Sequence, residues 1–322
     1  MKRGQTIGTV LKKLERKRGK FVSGEEIGGK IGISRAAIWK AIKSLQRRGY
    51  DIECVTHRGY SLKQDSGMLS EERIKRYLSD EAFNITVFEE VESTNDIVKQ
   101  LGKEGAPEWT VVAARKQTSG KGRMGRTFES PEQSGVYFSV LLKPNISALE
   151  SVKITTLASV AVSNVIERLT KAECKIKWVN DIYMKSKKVC GILTEAGLCQ
   201  NGDMLDYAVL GIGINITTKG LSPEVKKIAG GIGLDDDHDL RNKLTAAVLD
   251  ELKKLYDLLG SEEIYNAYKL RSFVIGQKVS FVRDGEALNG VANDIAKDYS
   301  LIVETSDGET LNLNSGEISV KL

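Results

Sequence analysis

Two residue types that bind metals are scarce. The 322 residues include two histidines, His57 and His238, and four cysteines, Cys54, Cys174, Cys190 and Cys199. The histidines lie far apart and no Cys-x-x-Cys spacing occurs, so a structural zinc site is not expected and each cysteine reads as a small buried or idle thiol. No dedicated protein cage for a metal is expected. Long apolar runs are also missing: nothing approaches 18 consecutive apolar residues, and the opening Met-Lys-Arg-Gly-Gln-Thr has no apolar signal region. A cytoplasmic protein without a membrane partner is the expectation. With 41% hydrophobic and 28% charged residues the chain has the composition of an ordinary soluble protein, with room for two or three domains.

The net charge of +5 conceals an asymmetry. Residues 1–64 carry 16 Lys/Arg against 5 Asp/Glu, a net of +11, which leaves −6 for the remainder. A basic head on an acidic body suggests a polyanion, most often nucleic acid, for the head and a different partner for the body.

One stretch concentrates chemistry. Between Gln117 and Phe128, the run Gly120-Lys-Gly-Arg-Met-Gly-Arg126 places three glycines and three cations in seven positions. Glycine permits positive φ and close backbone approach, and each cation is a charge-assisted donor worth about 1.5–3 kcal/mol. A phosphate is the expected guest; a solvated basic loop is the alternative. The run also matches Gly-x-Gly-x-x-Gly, but a dinucleotide loop must open a helix. Here Thr127-Phe-Glu-Ser-Pro leads into the strand-like Val136–Leu142, so the loop joins two strands. The Walker pattern does not fit either.

In the basic head, an amphipathic segment from Thr9 is closed by Gly19, and Ser23-Gly-Glu-Glu26 reads as a capping box. Ser34 then caps a third helix with Ile38, Ala41, Ile42 and Leu45 at helical spacing until Gly49. A hairpin turning at Gly59 follows, giving a winged helix-turn-helix over residues 1–65, with the helix-turn-helix near 24–43. Ser34, Arg35, Ala36, Lys40 and Lys43, with Arg58 in the wing, are the expected DNA-binding residues; a merely solvated basic helix is the alternative. Trp39 is expected to pack at the edge.

Beyond a polar linker, residues 66–270 alternate strands and helices, an α+β domain with a mixed sheet. Ser93-Thr-Asn95 stands at a helix start, either as plain caps or as a polar wall. The segment Lys175–Tyr183 reads as one strand with Asn180-Asp181 at its end, paired with a strand Lys187–Glu195 that has Lys188 near its start. Asp181 and Lys188 come within reach of each other, or else serve as a turn cap and a surface lysine. Gly211 and Gly213 suggest a ligand or second backbone lying against their strand. The Gly- and Lys-rich stretch 217–233 is expected to order with a ligand. Residues 271–322 read as short alternating strands, a small β-barrel with no evident catalytic group.

Taken in order, Ser34-Arg-Ala-Ala-Ile-Trp-Lys40, Glu92-Ser-Thr-Asn95, the Gly120–Arg126 loop, Lys177-Trp-Val-Asn-Asp181, Lys188-Val-Cys-Gly191, Gly211-Ile-Gly-Ile-Asn215 and Gly316-Glu-Ile-Ser319 resemble the biotin protein ligase family in its bifunctional, operon-repressor form. The resemblance covers nearly the whole chain and implies an SH3-like C-terminal barrel. It implies that biotin and Mg²⁺-ATP are substrates, that biotinoyl-5′-AMP is the intermediate, and that a lysine of the biotin carboxyl carrier protein is the acceptor. Operator DNA and an adenylate-linked homodimer are the further partners implied. A sensing repressor without transfer activity, or a lipoate-type ligase, is the alternative.

By the same resemblance Ser93, Thr94, Asn95, Gln117, Lys121, Gly122, Arg123 and Lys188 bind biotin. Gly120, Lys121, Arg123, Arg126, Phe128, Gly213 and Asn215 hold the adenylate and its phosphate. Lys188, Asp181 and Arg123 are the catalytic candidates: the cations offset anionic repulsion, and Asp181 positions the attacking amine and helps take its proton. The chain departs from the family's common pattern at Val179 (for proline), Met124 (for a basic residue), and Lys121 and Lys321 (for arginine). These bear on the Asn180-Asp181 backbone and on retention of the intermediate.

Overall fold

Apolar residues at helical spacing bury one face of each N-terminal helix. In the computed structural model, which describes residues 3–29, 32–47, 50–63, 68–199, 202–234, 237, 239–283, 286–314, 316 and 318–320, these helices belong to the first of two units. That unit comprises residues 1–77 with 235–246, and the second comprises 78–234 with 247–322. Expectations placed on Gly49, most of the polar linker, His238 and Lys321 lie outside the described residues.

In the first unit α1 (Arg3–Arg16) buries Ile7, Val10, Leu11 and Leu14. Ser23 caps α2 (Gly24–Gly28), accepting the Glu26 N–H at 3.0 Å. The Glu26 carboxylate pairs with Lys17 at 2.6 Å, so the Ser23 half of the expected capping box is the half seen. Helix α3 (Arg35–Arg47) buries Ile38, Ala41, Ile42 and Leu45, and Ser34 accepts the Ala37 N–H at 3.3 Å. Strands β1 (Ile52–Val55) and β2 (Gly59–Leu62) form the hairpin. Gly59 has φ 99°, and a Cβ there would meet the Val22 carbonyl at 2.2 Å, so glycine is required twice over. In α4 (Glu71–Tyr77) the buried Arg73 pairs with Asp239 at 2.5 Å.

The second unit begins with β3 (Asn84–Val91), α5 (Thr94–Lys103), β4 (Thr110–Gln117), β5 (Gly135–Leu142) and α6 (Val152–Thr170). It continues through β6 (Lys175–Lys177), β7 (Asp181–Met184), β8 (Lys187–Leu198), β9 (Leu205–Asn215) and the short α7 (Pro223–Lys226). Helix α8 (Leu240–Tyr256), which belongs to this unit from residue 247 on, and α9 (Glu262–Arg271) precede β10 (Lys278–Arg283), β11 (Glu286–Ile295), β12 (Leu301–Thr305), β13 (Thr310–Leu313) and β14 (Ile318–Val320).

Seven strands form one mixed sheet in the order β3-β4-β5-β9-β8-β7-β6, with β3 and β4 parallel and the other pairs antiparallel. Strand β5 is buried along its whole length. Helix α6 is apolar enough, with the turn before it, to pass for a membrane span by length and composition, yet 67% of that window is buried inside the protein. Every residue from Ile154 to Ser163 is buried, as are Val165 and Ile166, so this stretch is covered all round, each large apolar side chain contributing about 1.5–3 kcal/mol of burial. The last five strands form a separate antiparallel sheet ordered β13-β12-β11-β10-β14.

The expected single strand 175–183 is two. The chain reverses after Lys177, and β6 pairs antiparallel with β7, Lys177 opposite Asp181. Remote groups hold the corner: the Trp178 indole donates to the Tyr299 carbonyl at 2.8 Å, and the Tyr268 hydroxyl to the Val179 carbonyl at 3.1 Å. Periodicity within the segment carries no sign of partners so far away along the chain.

Candidate functional site

The glycine-rich loop leaves β4 and returns toward β5 as a tied structure. The Gly122 N–H donates to the Arg126 carbonyl at 2.7 Å, the Phe128 N–H to the Gly120 carbonyl at 2.8 Å, and the Gln117 N–H to the Ser130 carbonyl at 3.0 Å. Of its three glycines only Gly125 has positive φ, 73°, and its neighbour Met124 adopts φ 54°. Gly120 is needed for another reason: a Cβ would lie 2.3 Å from the Phe128 carbonyl. Lys121 pairs with Asp96, and that hydrogen bond holds the ammonium pKa above its ordinary value. Arg123 reaches Asn180 Oδ1 at 3.4 Å.

This loop covers a cavity of about 260 Å³ in the second unit. Lys121, Gly122, Arg123, Arg126 and Phe128 line it from the loop. Ser93, Thr94 and Asn95 line it from the start of α5, and Gln117 from the end of β4. Asp181, Lys188 and Gly213 line it from β7, β8 and β9. Two expected site residues stand back: Gly120 is packed under Phe128 and Ser130, and Asn215 is buried with its Oδ1 unpartnered among the described residues.

The start of α5 is a polar wall. The Ser93 side chain makes no capping hydrogen bond. Gln117 Oε1 accepts from the Thr94 N–H at 2.8 Å and lies 3.1 Å from Thr94 Oγ1, while Gln117 Nε2 donates to Ser130 Oγ at 2.9 Å. Thr94 Oγ1 lies 2.7 Å from Ser139 Oγ, which donates to Asn95 Oδ1 at 2.6 Å. Neither Ser130 nor Ser139 was among the expected site residues. A single serine in the largely apolar run Val136–Leu142 was the only trace of Ser139.

The glycines of β9 are explained by this wall and by the loop. A Cβ at Gly211 would stand 2.1 Å from Asn95 Oδ1, and one at Gly213 would stand 2.4 Å from the Phe128 ring. The close neighbours are therefore side chains of the chain itself, not a second backbone. Phe128 also crosses Gly191, where a Cβ would meet the ring at 2.9 Å.

Asp181 and Lys188 meet at 2.7 Å, both side chains mostly buried. The contact is an ion pair and not an aligned hydrogen bond, since the same Asp181 Oδ1 has no hydrogen-bond partner of proper geometry. Lys188 also stands 6.0 Å from the centre of the Phe128 ring. Its backbone is held by the segment that follows β9: the Lys188 N–H donates to the Ile228 carbonyl at 3.0 Å, and the Gly230 N–H to the Lys188 carbonyl at 2.8 Å. Ile228 lines the cavity, as do Ile318 and Ser319 of β14. The C-terminal sheet thus supplies part of the wall, although its sequence shows no catalytic group.

In the first unit Ser34, just before α3, and Arg35, in its first turn, are exposed, Ala36, Lys40 and Lys43 are exposed on the face of α3 opposite its apolar stripe, and Arg58 is exposed in the hairpin. The Arg58 guanidinium lies 4.3 Å from the centre of the Phe21 ring. Trp39 does not pack at an edge: it is 53% exposed, with Lys43 Nζ 5.9 Å from its ring centre.

Three segments of the chain match known protein families. Residues 8–61 match a helix-turn-helix domain, residues 87–215 the biotin/lipoate A/B protein ligase family, and residues 274–321 the biotin protein ligase C-terminal domain. The bifunctional ligase/repressor BirA of Bacillus subtilis is 38% identical over 213 residues, 65% of this chain and 65% of that protein. The Escherichia coli bifunctional ligase/repressor BirA is 28% identical over 314 residues, 94% of each chain. Among solved structures, the biotin protein ligase from Aquifex aeolicus in complex with biotin and ATP is 26% identical, with a TM-score of 0.61 over 74% of this chain and 98% of that one. Along the chain, a domain of the biotin/lipoate A/B protein ligase family, carrying the loop and most of the strands that build the cavity, is preceded by a helix-turn-helix domain and followed by a biotin protein ligase C-terminal domain.

Proposed function

We propose that this chain is a biotin–protein ligase that doubles as a transcriptional repressor of biotin genes. The biotin carboxylate attacks the α-phosphorus of Mg²⁺-ATP to give biotinoyl-5′-AMP and pyrophosphate, and a lysine amine of the biotin carboxyl carrier protein then attacks the activated carbonyl, forming the amide and releasing AMP. One observation carries the reading: a single cavity is lined by the neutral polar wall of Thr94, Asn95 and Gln117 and by the cations Lys121, Arg123, Arg126 and Lys188. An uncharged hydrogen-bonding head and an anionic tail are what such a lining accommodates.

In the first step the biotin carboxylate and the α-phosphate, both anions, must approach. Lys121, Arg123, Arg126 and Lys188 offset that repulsion and the charge that builds on phosphorus. Mg²⁺ enters as the ATP complex. Gly122 lets the loop backbone lie close to the bound tail, and Phe128 with Gly213 forms the face beside the adenylate. In the second step the acceptor lysine must lose a proton, which from a pKa near 10.4 costs about 4.6 kcal/mol at pH 7. Asp181 positions the amine and helps take that proton, with Lys188 balancing its charge. The closed loop keeps water from the acyl adenylate.

The remaining roles follow the chain's organisation. Residues 1–65 form the winged helix-turn-helix that binds operator DNA, residues 66–270 the catalytic domain, and residues 271–322 an SH3-like barrel. The protein works in the cytoplasm, and the adenylate favours a homodimer spanning two half-sites. Mass spectrometry of the purified protein with biotin, Mg²⁺-ATP and a carboxyl carrier domain tests the enzyme. Biotinoyl-AMP followed by labelled carrier is the expected result. Adenylate without labelled carrier overturns transfer, and activity only with lipoate overturns the substrate.

A further inference from the structure

Behind the polar wall stands a carboxylate with no role assigned above. Glu195, on β8, accepts from Asn95 Nδ2 through Oε2 at 2.9 Å and from Lys99 Nζ through Oε1 at 3.1 Å. Burial raises its pKa, but the hydrogen bonds from Asn95 and Lys99 outweigh burial and hold it below the ordinary carboxylate value. Glu195 is therefore ionised at neutral pH and can only accept hydrogen bonds.

That restriction propagates along the wall. Asn95 must turn its NH₂ toward Glu195, which leaves Oδ1 facing Ser139. The Ser139 hydroxyl donates its single proton to that Oδ1 at 2.6 Å, so toward Thr94 Oγ1, 2.7 Å away, it can only accept. The Thr94 hydroxyl proton is then spent inside the protein, on Ser139 or on Gln117 Oε1. On the two cavity-lining residues this leaves one N–H of Asn95 and a lone pair of Thr94 for a ligand. A fixed donor next to a fixed acceptor matches a cyclic urea, with its C=O beside an N–H. A dithiolane ring has neither group to offer.

We infer that Glu195 is a positioning residue which, through Asn95 and Ser139, fixes the hydrogen-bond polarity of the cavity wall and so selects a ureido ligand. This inference rests on the reading of biotin as substrate. Gly211 is part of the device, because any side chain there would displace Asn95 Oδ1.

The Glu195→Gln variant tests it. Glutamine keeps the volume but can donate, so the Asn95 amide is free to turn over and the relay to reverse. In the full-length protein, KM for biotin, KM for ATP and kcat for biotinoyl-AMP formation are measured by pyrophosphate release, alongside the thermal midpoint. Expected is a rise in biotin KM on the order of 10-fold, with ATP KM and the thermal midpoint unchanged. Combined with Ser139→Ala, the loss should be no greater than that of the worse single variant, as for two members of one relay. An unchanged biotin KM in Glu195→Gln, an equal loss in ATP KM, or additive losses in the double variant would overturn the inference. Failure of the wild-type protein to form biotinoyl-AMP would instead remove the substrate reading beneath it.

Discussion

At Asp181 a single side chain serves two neighbours: it pairs with Lys188 at 2.7 Å and lines the cavity. If it handles the acceptor amine, Asp181→Ala should slow transfer on the order of 10²-fold, the low end for a positioned general base, with a smaller loss in adenylation. Separate assay of the two half-reactions checks this, and equal losses would assign Asp181 to charge balance alone. The cysteines behave differently because burial differs. Burial pushes the Cys174 thiol up to about 12 and raises Cys190 further, whereas Cys54 is exposed. At pH 8 almost no thiolate exists at the two buried positions, so a thiol reagent should label Cys54 in the folded protein and reach Cys174 and Cys190 only on denaturation. Peptide mapping of the label reads the outcome; rapid labelling of Cys190 would contradict its burial.

Among the elements, α3 and the loop between β4 and β5 concentrate positive charge, which the proposed function directs to two different anions. On α3 the apolar stripe is consumed by the core, so Lys40 and Lys43 have no packing task and remain exposed. Replacing both by alanine should weaken duplex binding and flatten the logarithmic salt dependence by up to about 0.9 for each phosphate no longer neutralised. A slope equal to the wild-type value would take these lysines off the DNA. In the loop, the positive φ expected of glycines is found at Gly125 and Met124, while Gly120 is required by the carbonyl packed against it. Composition showed that the loop is unusual; which glycine does what depends on backbone packing that composition does not carry.

For the whole molecule, the cavity wall comes from widely separated parts of the chain, from Ser93 to Ser319. The segment after β9 is hydrogen-bonded to Lys188, and the Ser222 N–H donates to Glu129 Oε2 at 2.8 Å, which links that segment to the glycine-rich loop. A ligand that orders both segments together can change a surface as well as a site, and this is the basis for the proposed adenylate-linked dimer. Sedimentation of the protein with and without biotin and ATP should show the mass doubling with both. An unchanged mass would dispose of the linkage.

The sequence by itself determined what depends on near neighbours. Apolar spacing set α3, and Ser34 marked its start. The glycines and cations marked the loop that lines the cavity, and the proximity of Asp181 and Lys188 followed from their places on two adjacent strands. Only tertiary structure decided what depends on residues far apart in the chain. It bent the segment at Trp178 by hydrogen bonds to Tyr299 and Tyr268. It set Ser139 and Glu195 behind the polar wall, and brought Ile318 and Ser319 to the cavity. The physical reason is the same in each case: periodicity records which face of an element is buried, whereas the partner of a buried polar atom is chosen by packing among elements.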